Sequence, residues 1–199
     1  MPKKNDTNYI LVQDSTSNDE ETSEEIMQVF NDFLPNDYQV PNPKSNYMKF
    51  REGINRFRIL SPAIMGYVYW NEDDNNKKFP VRKRMNETID NEDIQDIETL
   101  RHFWAFVIWN YEEKRVQILE LTQKGLHKSI RALTKDEDWG SPVNKYDIVI
   151  TREGKDLNTK YELQPKPAKQ TDTFITEQYQ TMNINLEALF VNGDPFATK

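Results

Sequence analysis

Phe103-Trp-Ala-Phe-Val-Ile-Trp109, Asn110-Tyr-Glu-Glu-Lys114 and Arg115-Val-Gln-Ile-Leu-Glu-Leu121 decide how the chain folds. The first run is continuously apolar, the second is a short polar turn, and the third is rich in β-branched residues. This is the signature of a hairpin whose first strand is buried. Working outward, Thr122 opens a helix through Thr134, with Leu126, Ile130 and Leu133 on one side and Lys124, Lys128 and Arg131 on the other. Gly140 and Pro142 end that segment, and Tyr146–Thr151 and Lys160–Gln164 form a last hairpin around Gly154. Upstream, Ile54–Leu60 alternates Arg56 and Arg58 with Phe57 and Ile59, which predicts a half-buried strand with guanidinium groups on its polar face. Ile64–Trp70 and Phe79–Arg84 read as two more strands, the second placing Phe79 and Val81 opposite Arg82 and Arg84. Residues 86–98 have no firm pattern and read as loop.

The order, several strands, one helix, then two strands, is that of a mainly β protein. It predicts a five-stranded OB-type barrel with its helix between the third and fourth strands, and a split barrel of other topology is the competitor. The expected boundaries are a flexible, partly disordered acidic arm over 1–46, a barrel over 47–169 and a flexible acidic tail over 170–199 with a short helix at 185–191. In the arm, Thr22 and Glu25 fit a capping box, and Ile26, Val29, Phe30 and Phe33 recur at helical spacing, predicting a helix over 24–34. Residues 1–23 hold too little apolar surface to offset the entropy of ordering, and Pro35, Pro41 and Pro43 make a linker.

Composition restricts the chemistry. The chain has 199 residues, no cysteine and two histidines, His102 and His127. Disulfides, thiol catalysis and Cys- or His-built metal cages are excluded, so no metal and no cofactor are expected. Adjacent acids at Asp73-Asp74, Glu112-Glu113 and Asp136-Glu-Asp138 lack a histidine partner and metal-ligand spacing, and no glycine-rich phosphate loop occurs among six glycines. An enzyme is not expected. The sequence carries neither an apolar span nor a secretory start, which gives the expectation of a cytoplasmic protein with no membrane partner.

The net charge of -7 is unevenly spread. Residues 1–46 hold three lysines against nine acids and residues 170–199 one lysine against four, whereas Lys49–Arg84 holds nine basic residues against four acidic. Positive charge is therefore local, and local charge steers anionic ligands.

Three runs carry a resemblance. Asn46-Tyr-Met-Lys-Phe-Arg-Glu-Gly-Ile-Asn-Arg-Phe-Arg-Ile-Leu60, Phe103–Tyr111 and Ile118-Leu-Glu-Leu-Thr-Gln-Lys124, with Lys135-Asp-Glu-Asp-Trp-Gly140 and Tyr146–Thr151, resemble single-stranded-DNA-binding proteins of tailed bacteriophages. These are OB-fold relatives of the helix-destabilising protein of T4-type phages. The likeness covers residues 46–169 and the end, Leu186–Phe190 and Gly193–Phe196. It implies sequence-independent binding of single-stranded DNA in phage replication or recombination, inside a bacterial host. The zinc subdomain of the T4-type protein has no counterpart here, because cysteine is absent.

Binding a single strand needs cations for the backbone and aromatic faces for the bases. The residues that supply both are Arg56, Arg58, Tyr67, Tyr69, Trp70, Lys78, Arg82, Arg84, Trp109 and Lys124. Strand parity puts Trp104 and Trp109 on opposite faces, and Trp109 is taken as the ligand-facing one. Taken singly, each of these residues also fits a solvated face or a core position. In the tail, Leu186, Leu189, Phe190, Asp194 and Phe196 suggest a docking segment for replication or recombination proteins, with packing on the barrel as the alternative. Self-association along DNA is a further expected contact. The rival functions are a ring-forming strand-annealing mediator and an acidic DNA mimic.

Overall fold

The computed structural model describes residues 45–197, so the expected arm and its 24–34 helix lie outside the described residues. Among the described residues seven strands occur: β1 (Gly53–Ile59), β2 (Ile64–Glu72), β3 (Lys78–Arg84), β4 (Arg101–Asn110), β5 (Arg115–Leu121), β6 (Asp147–Glu153) and β7 (Lys160–Pro165). Helix α1 spans Lys124–Lys135 and α2 spans Thr173–Thr181. All strand pairs are antiparallel and form one sheet in the order β3-β2-β4-β1-β6-β7, with β5 on the other edge of β4.

Strand β4 is the hub. One edge pairs with β2 over its first half, Ile64 opposite Ala105, and with β1 over its second, Ile59 opposite Ile108. Between the two, the chain crosses at Ser61, whose Oγ accepts from the Val107 N–H at 2.9 Å while Leu60 N–H donates to Val107 O at 2.8 Å. The ladder is thus kept without a gap where a proline, Pro62, would otherwise interrupt it.

The expected five-stranded barrel is corrected by this topology. The β2–β3 hairpin adds two strands to the sheet, and among the described residues β5 does not pair with β7. Instead, the outer edge of β5 is taken by residues 46–48: Met48 N–H donates to Ile118 O and Ile118 N–H to Asn46 O, both at 2.9 Å. The sheet therefore stays open.

Parity along β4 explains why it is apolar throughout. Phe106 and Ile108 face one way, into a core with Phe57, Ile59, Leu119, Leu121, Ile148 and Ile150 that α1 closes with Leu126 and Ile130. Phe103, Ala105, Val107 and Trp109 face the other way, with Val68, Ile118, Val116 and Leu60. That second face is covered by the C-terminal segment: Ile175 of α2 is 5% exposed and Leu189 2% exposed. A strand covered on both sides reads as an uninterrupted apolar run.

The C-terminal segment is built by local caps. Asp172 accepts from the Phe174 N–H at 2.9 Å to start α2, a helix not expected from the sequence. Asn185 accepts from the Glu187 N–H, as expected, but the turn that follows, Leu186–Val191, is a 3-10 helix. It ends at Asn192, φ 52°, with Gly193 N–H donating to Ala188 O. Gly66 is required beneath it, because a Cβ there would meet Lys83 O at 2.2 Å and the rings of Phe190 and Phe103 at 3.0 and 3.1 Å. The expectation of a flexible tail is corrected accordingly: residues 173–197 pack on the sheet.

Candidate nucleic-acid interface

The arginines on the polar faces of the strands divide into buried pairs and groove residues. Arg58 is 1% exposed and donates through Nε to Asp147 at 2.5 Å, with Lys169 O and Thr171 Oγ1 accepting from its Nη1. Arg56 donates to the other oxygen of Asp147 at 3.0 and 2.5 Å and lies 4.5 Å above the Tyr111 ring. Asp147 sits directly across the β1–β6 ladder from Arg58. Burial alone would push its carboxyl up, but hydrogen bonds from Arg56 and Arg58, the charge of Arg58 and the Tyr111 hydroxyl outweigh this and hold it below the ordinary value. Arg58 and Asp147 form a buried, mutually satisfied pair, and Arg56 caps it from the surface with its side chain 48% exposed. Arg58, expected from the sequence to face DNA, is thus placed in the interior, and Arg56, also expected there, is held at the surface by the same carboxylate.

Two of the aromatic residues expected to face DNA are placed in the interior. Tyr69 is 1% exposed, and burial, with the charge of Asp93, raises its hydroxyl pKa. Trp109 is buried, with Phe174 of α2 edge-on at 5.8 Å. Trp104 lies on the α1 side, its ring 4.4 Å from that of His127, and its Nε1–H donates to His102 Nε2 at 2.9 Å. His127 and His102 each bond a backbone carbonyl, Leu121 O and Gly66 O, at 2.8 Å, and burial lowers the His127 pKa. Tyr67 joins this group, half-buried, with its ring 5.7 Å from His102. Lys124 stands exposed in the first turn of α1 and does not line the groove described next.

An open groove of about 760 Å³ runs across β2 and β3 beside the C-terminal turn. Its lining includes Trp70, Phe79, Pro80 and Arg82 from the hairpin, Glu120 from β5, Tyr47 and Lys49 from the segment on the β5 edge, and Leu189, Asn192 and Gly193 from the C-terminus. The hairpin register sets Trp70 opposite Pro80, on the face that carries Arg82, and sets Phe79 opposite Asn71 one rung further, on the alternate face; both aromatic residues line the groove. They remain 46% and 37% exposed. Of the ten residues named from the sequence, Trp70 and Arg82 line this groove; Tyr47, Lys49, Phe79 and Glu120 were not among them. Tyr47 and Lys49 sit in the Asn46–Leu60 run that carried the resemblance, and Phe79 was read only as the apolar side of an alternation.

The groove charges are largely spoken for. Arg82 donates twice to Glu120 Oε2, at 3.0 and 2.7 Å, and is 11% exposed. Arg84, next on the same face, lies 4.5 Å over the Phe190 ring and is bound by Glu187 at 2.9 Å and Glu87 at 3.1 Å, hydrogen bonds that raise its pKa. Lys78, 69% exposed, has one loose contact with Glu72 at 3.3 Å. Burial raises the Tyr47 hydroxyl pKa, Arg82 opposes this, and Glu120 and Asp194 add to it, which sets both carboxylates near the Tyr47 end.

The expected docking residues are placed by the same geometry. Leu186, Leu189, Phe190 and Phe196 pack against Val68, Phe103, Ala105 and Ile118. Asp194 accepts from the Phe196 N–H at 2.9 Å. These residues thus form a packed cover, the alternative raised from the sequence, and the same segment forms one groove wall.

No family model matches the chain, and no solved structure matches it. A curated relative from Escherichia phage T5, named "Probable ssDNA-binding protein", is 26% identical over 152 residues, which cover 65% of this chain and 58% of that protein. The chain thus spans a little over half the length of that relative.

Proposed function

We propose that the protein binds single-stranded DNA along the groove across β2 and β3, as a non-enzymatic component of phage DNA replication or recombination in the host cytoplasm. The observation that carries this is Trp70, a large aromatic side chain left 46% exposed in a groove that Tyr47, Phe79, Lys49 and Arg82 also line. Bases stack on such faces whatever their identity, and the cations meet the backbone. The phage T5 relative supports the same reading by its name.

The strand order β1, β4, β5, then α1, then β6 and β7 follows the OB plan, with the β2–β3 hairpin as an addition and the closing β5–β7 pairing absent among the described residues. On this reading the chain is a modified relative of the T4-type OB proteins. OB folds bind oligonucleotides on the face of their second and third strands. Here the corresponding face, that of β4 and β5, lies under Leu186, Leu189 and Phe190, which moves the strand to the hairpin edge. Further copies along the DNA and replication or recombination proteins are the partners this role calls for.

The test is fluorescence anisotropy with a labelled oligo-dT and with a duplex of equal length. Saturable binding of the single strand, weaker binding of the duplex and loss on Trp70→Ala support the reading. Absence of single-strand binding at low salt overturns it.

A further inference from the structure

The groove contains an acceptor that phosphate binding does not explain. Arg82 uses both of its donors on one oxygen of Glu120, Oε2. Among the described residues, Oε1 receives no hydrogen bond, and the Glu120 side chain is 22% exposed in the groove. A carboxylate repels a phosphate, so at this point the groove disfavours backbone. It sits instead with Tyr47, Trp70 and Phe79, the aromatic faces that would hold a base. A fixed acceptor at the edge of a stacked base reads an amino group, as acidic side chains do with cytosine N4. Thymine and uracil present only an imide N–H flanked by two carbonyl oxygens, which a carboxylate repels.

We infer that Glu120 is a specificity-determining residue: one nucleotide position in the groove takes a base with an exocyclic amino group, cytosine, adenine or guanine, which donates to Glu120 Oε1, and disfavours thymine and uracil. Arg82 orients this carboxylate and is a positioning residue. The inference rests on the proposed function above and adds a preference at one position to binding that is otherwise indifferent to sequence.

Oligo-dC and oligo-dU of equal length, compared at mildly alkaline pH where cytosine is neutral, differ at the base edge and not in charge. A single hydrogen bond to a charged acceptor predicts a preference of about tenfold for oligo-dC. In Glu120→Gln the amide can meet either base, so the preference falls to about unity, largely through tighter oligo-dU binding, with a melting curve confirming the fold. Glu120→Ala serves as the second variant and should also lose the preference. Equal binding of both oligomers by the native protein, or a preference that survives in a folded Glu120→Gln, overturns the inference. If in that case Trp70→Ala still weakens both oligomers, the groove itself stands; if Trp70→Ala changes neither, the groove reading fails with it.

Discussion

Replacing Trp70 separates the groove from every other aromatic site in the molecule. The chain has four tryptophans, and Trp104, Trp109 and Trp139 are set against His127, Phe174 and Tyr146, respectively. Trp70 is 46% exposed on the groove wall, so it is the indole that a base can reach. Stacking of one base is worth about 1–3 kcal/mol, so Trp70→Ala should weaken oligo-dT by about 5- to 150-fold. Its half-burial limits the loss of stability to about 2 kcal/mol, half the usual cost of truncating a buried Trp. Trp70→Phe is the sharper variant, since it keeps an aromatic face and removes the fluorophore. Anisotropy should then show an affinity within about tenfold of native, while the quenching of intrinsic fluorescence by DNA disappears. Quenching that persists in full in Trp70→Phe, or native affinity in Trp70→Ala, would refute the placement of bases on the hairpin.

Asp147→Asn leaves Arg58, 1% exposed, without its counter-charge, and urea denaturation should show a loss of about 3–5 kcal/mol. Because the folded-state pKa of Asp147 is depressed, its contribution is fully present above the unfolded carboxylate value of about 3.9 and is lost as pH falls through the lower folded value. Native stability should therefore fall in acid more steeply than that of Asp147→Asn, and parallel pH profiles for the two would contradict this. Leu189→Ala, at 2% exposure, should cost about 2–5 kcal/mol by thermal or chemical melting. Removing residues 170–199 should unfold the sheet or weaken DNA binding, since Leu189, Asn192 and Gly193 form a groove wall; a stable truncated chain that binds DNA more tightly would restore a competing tail.

Strand boundaries were legible to within about two residues, because each strand alternates or runs apolar between polar turns. Phe103–Trp109 was read where Arg101–Asn110 is observed, and Thr122–Thr134 where α1 spans Lys124–Lys135. Closure was not legible. Whether the β5 edge meets β7 or residues 46–48 depends on hydrogen bonds between segments far apart in sequence, and no local pattern encodes that choice. Helix α2 was missed because Phe174, Ile175 and Tyr179 make a weak apolar face in a polar segment. A clue was nevertheless present in β4. Seven consecutive apolar residues need cover on both faces, α1 covers one, and Leu186–Phe190 is an apolar run able to cover the other.

For the site, alternation reported the face of each arginine and not its neighbour. Arg56 and Arg58 look like Arg82 and Arg84 in sequence, yet the β1–β6 register delivers Asp147 to the first pair. The same reasoning fixes the character of the groove. Arg82 is matched by Glu120 and Arg84 by Glu87 and Glu187, leaving Lys49 and the loosely held Lys78 as the cations most free to meet phosphate. Two or three phosphate contacts give a slope of log K on log salt of about -2, at -0.7 per contact. Binding energy must then come mainly from Trp70 and Phe79. A titration series from low to moderate salt should find that shallow slope, unchanged in Trp70→Ala although the affinity has dropped. A slope of about -4 or steeper would mean that the strand displaces Glu120 or Glu187 from their arginines, and that the paired charges, rather than the aromatic faces, hold the DNA.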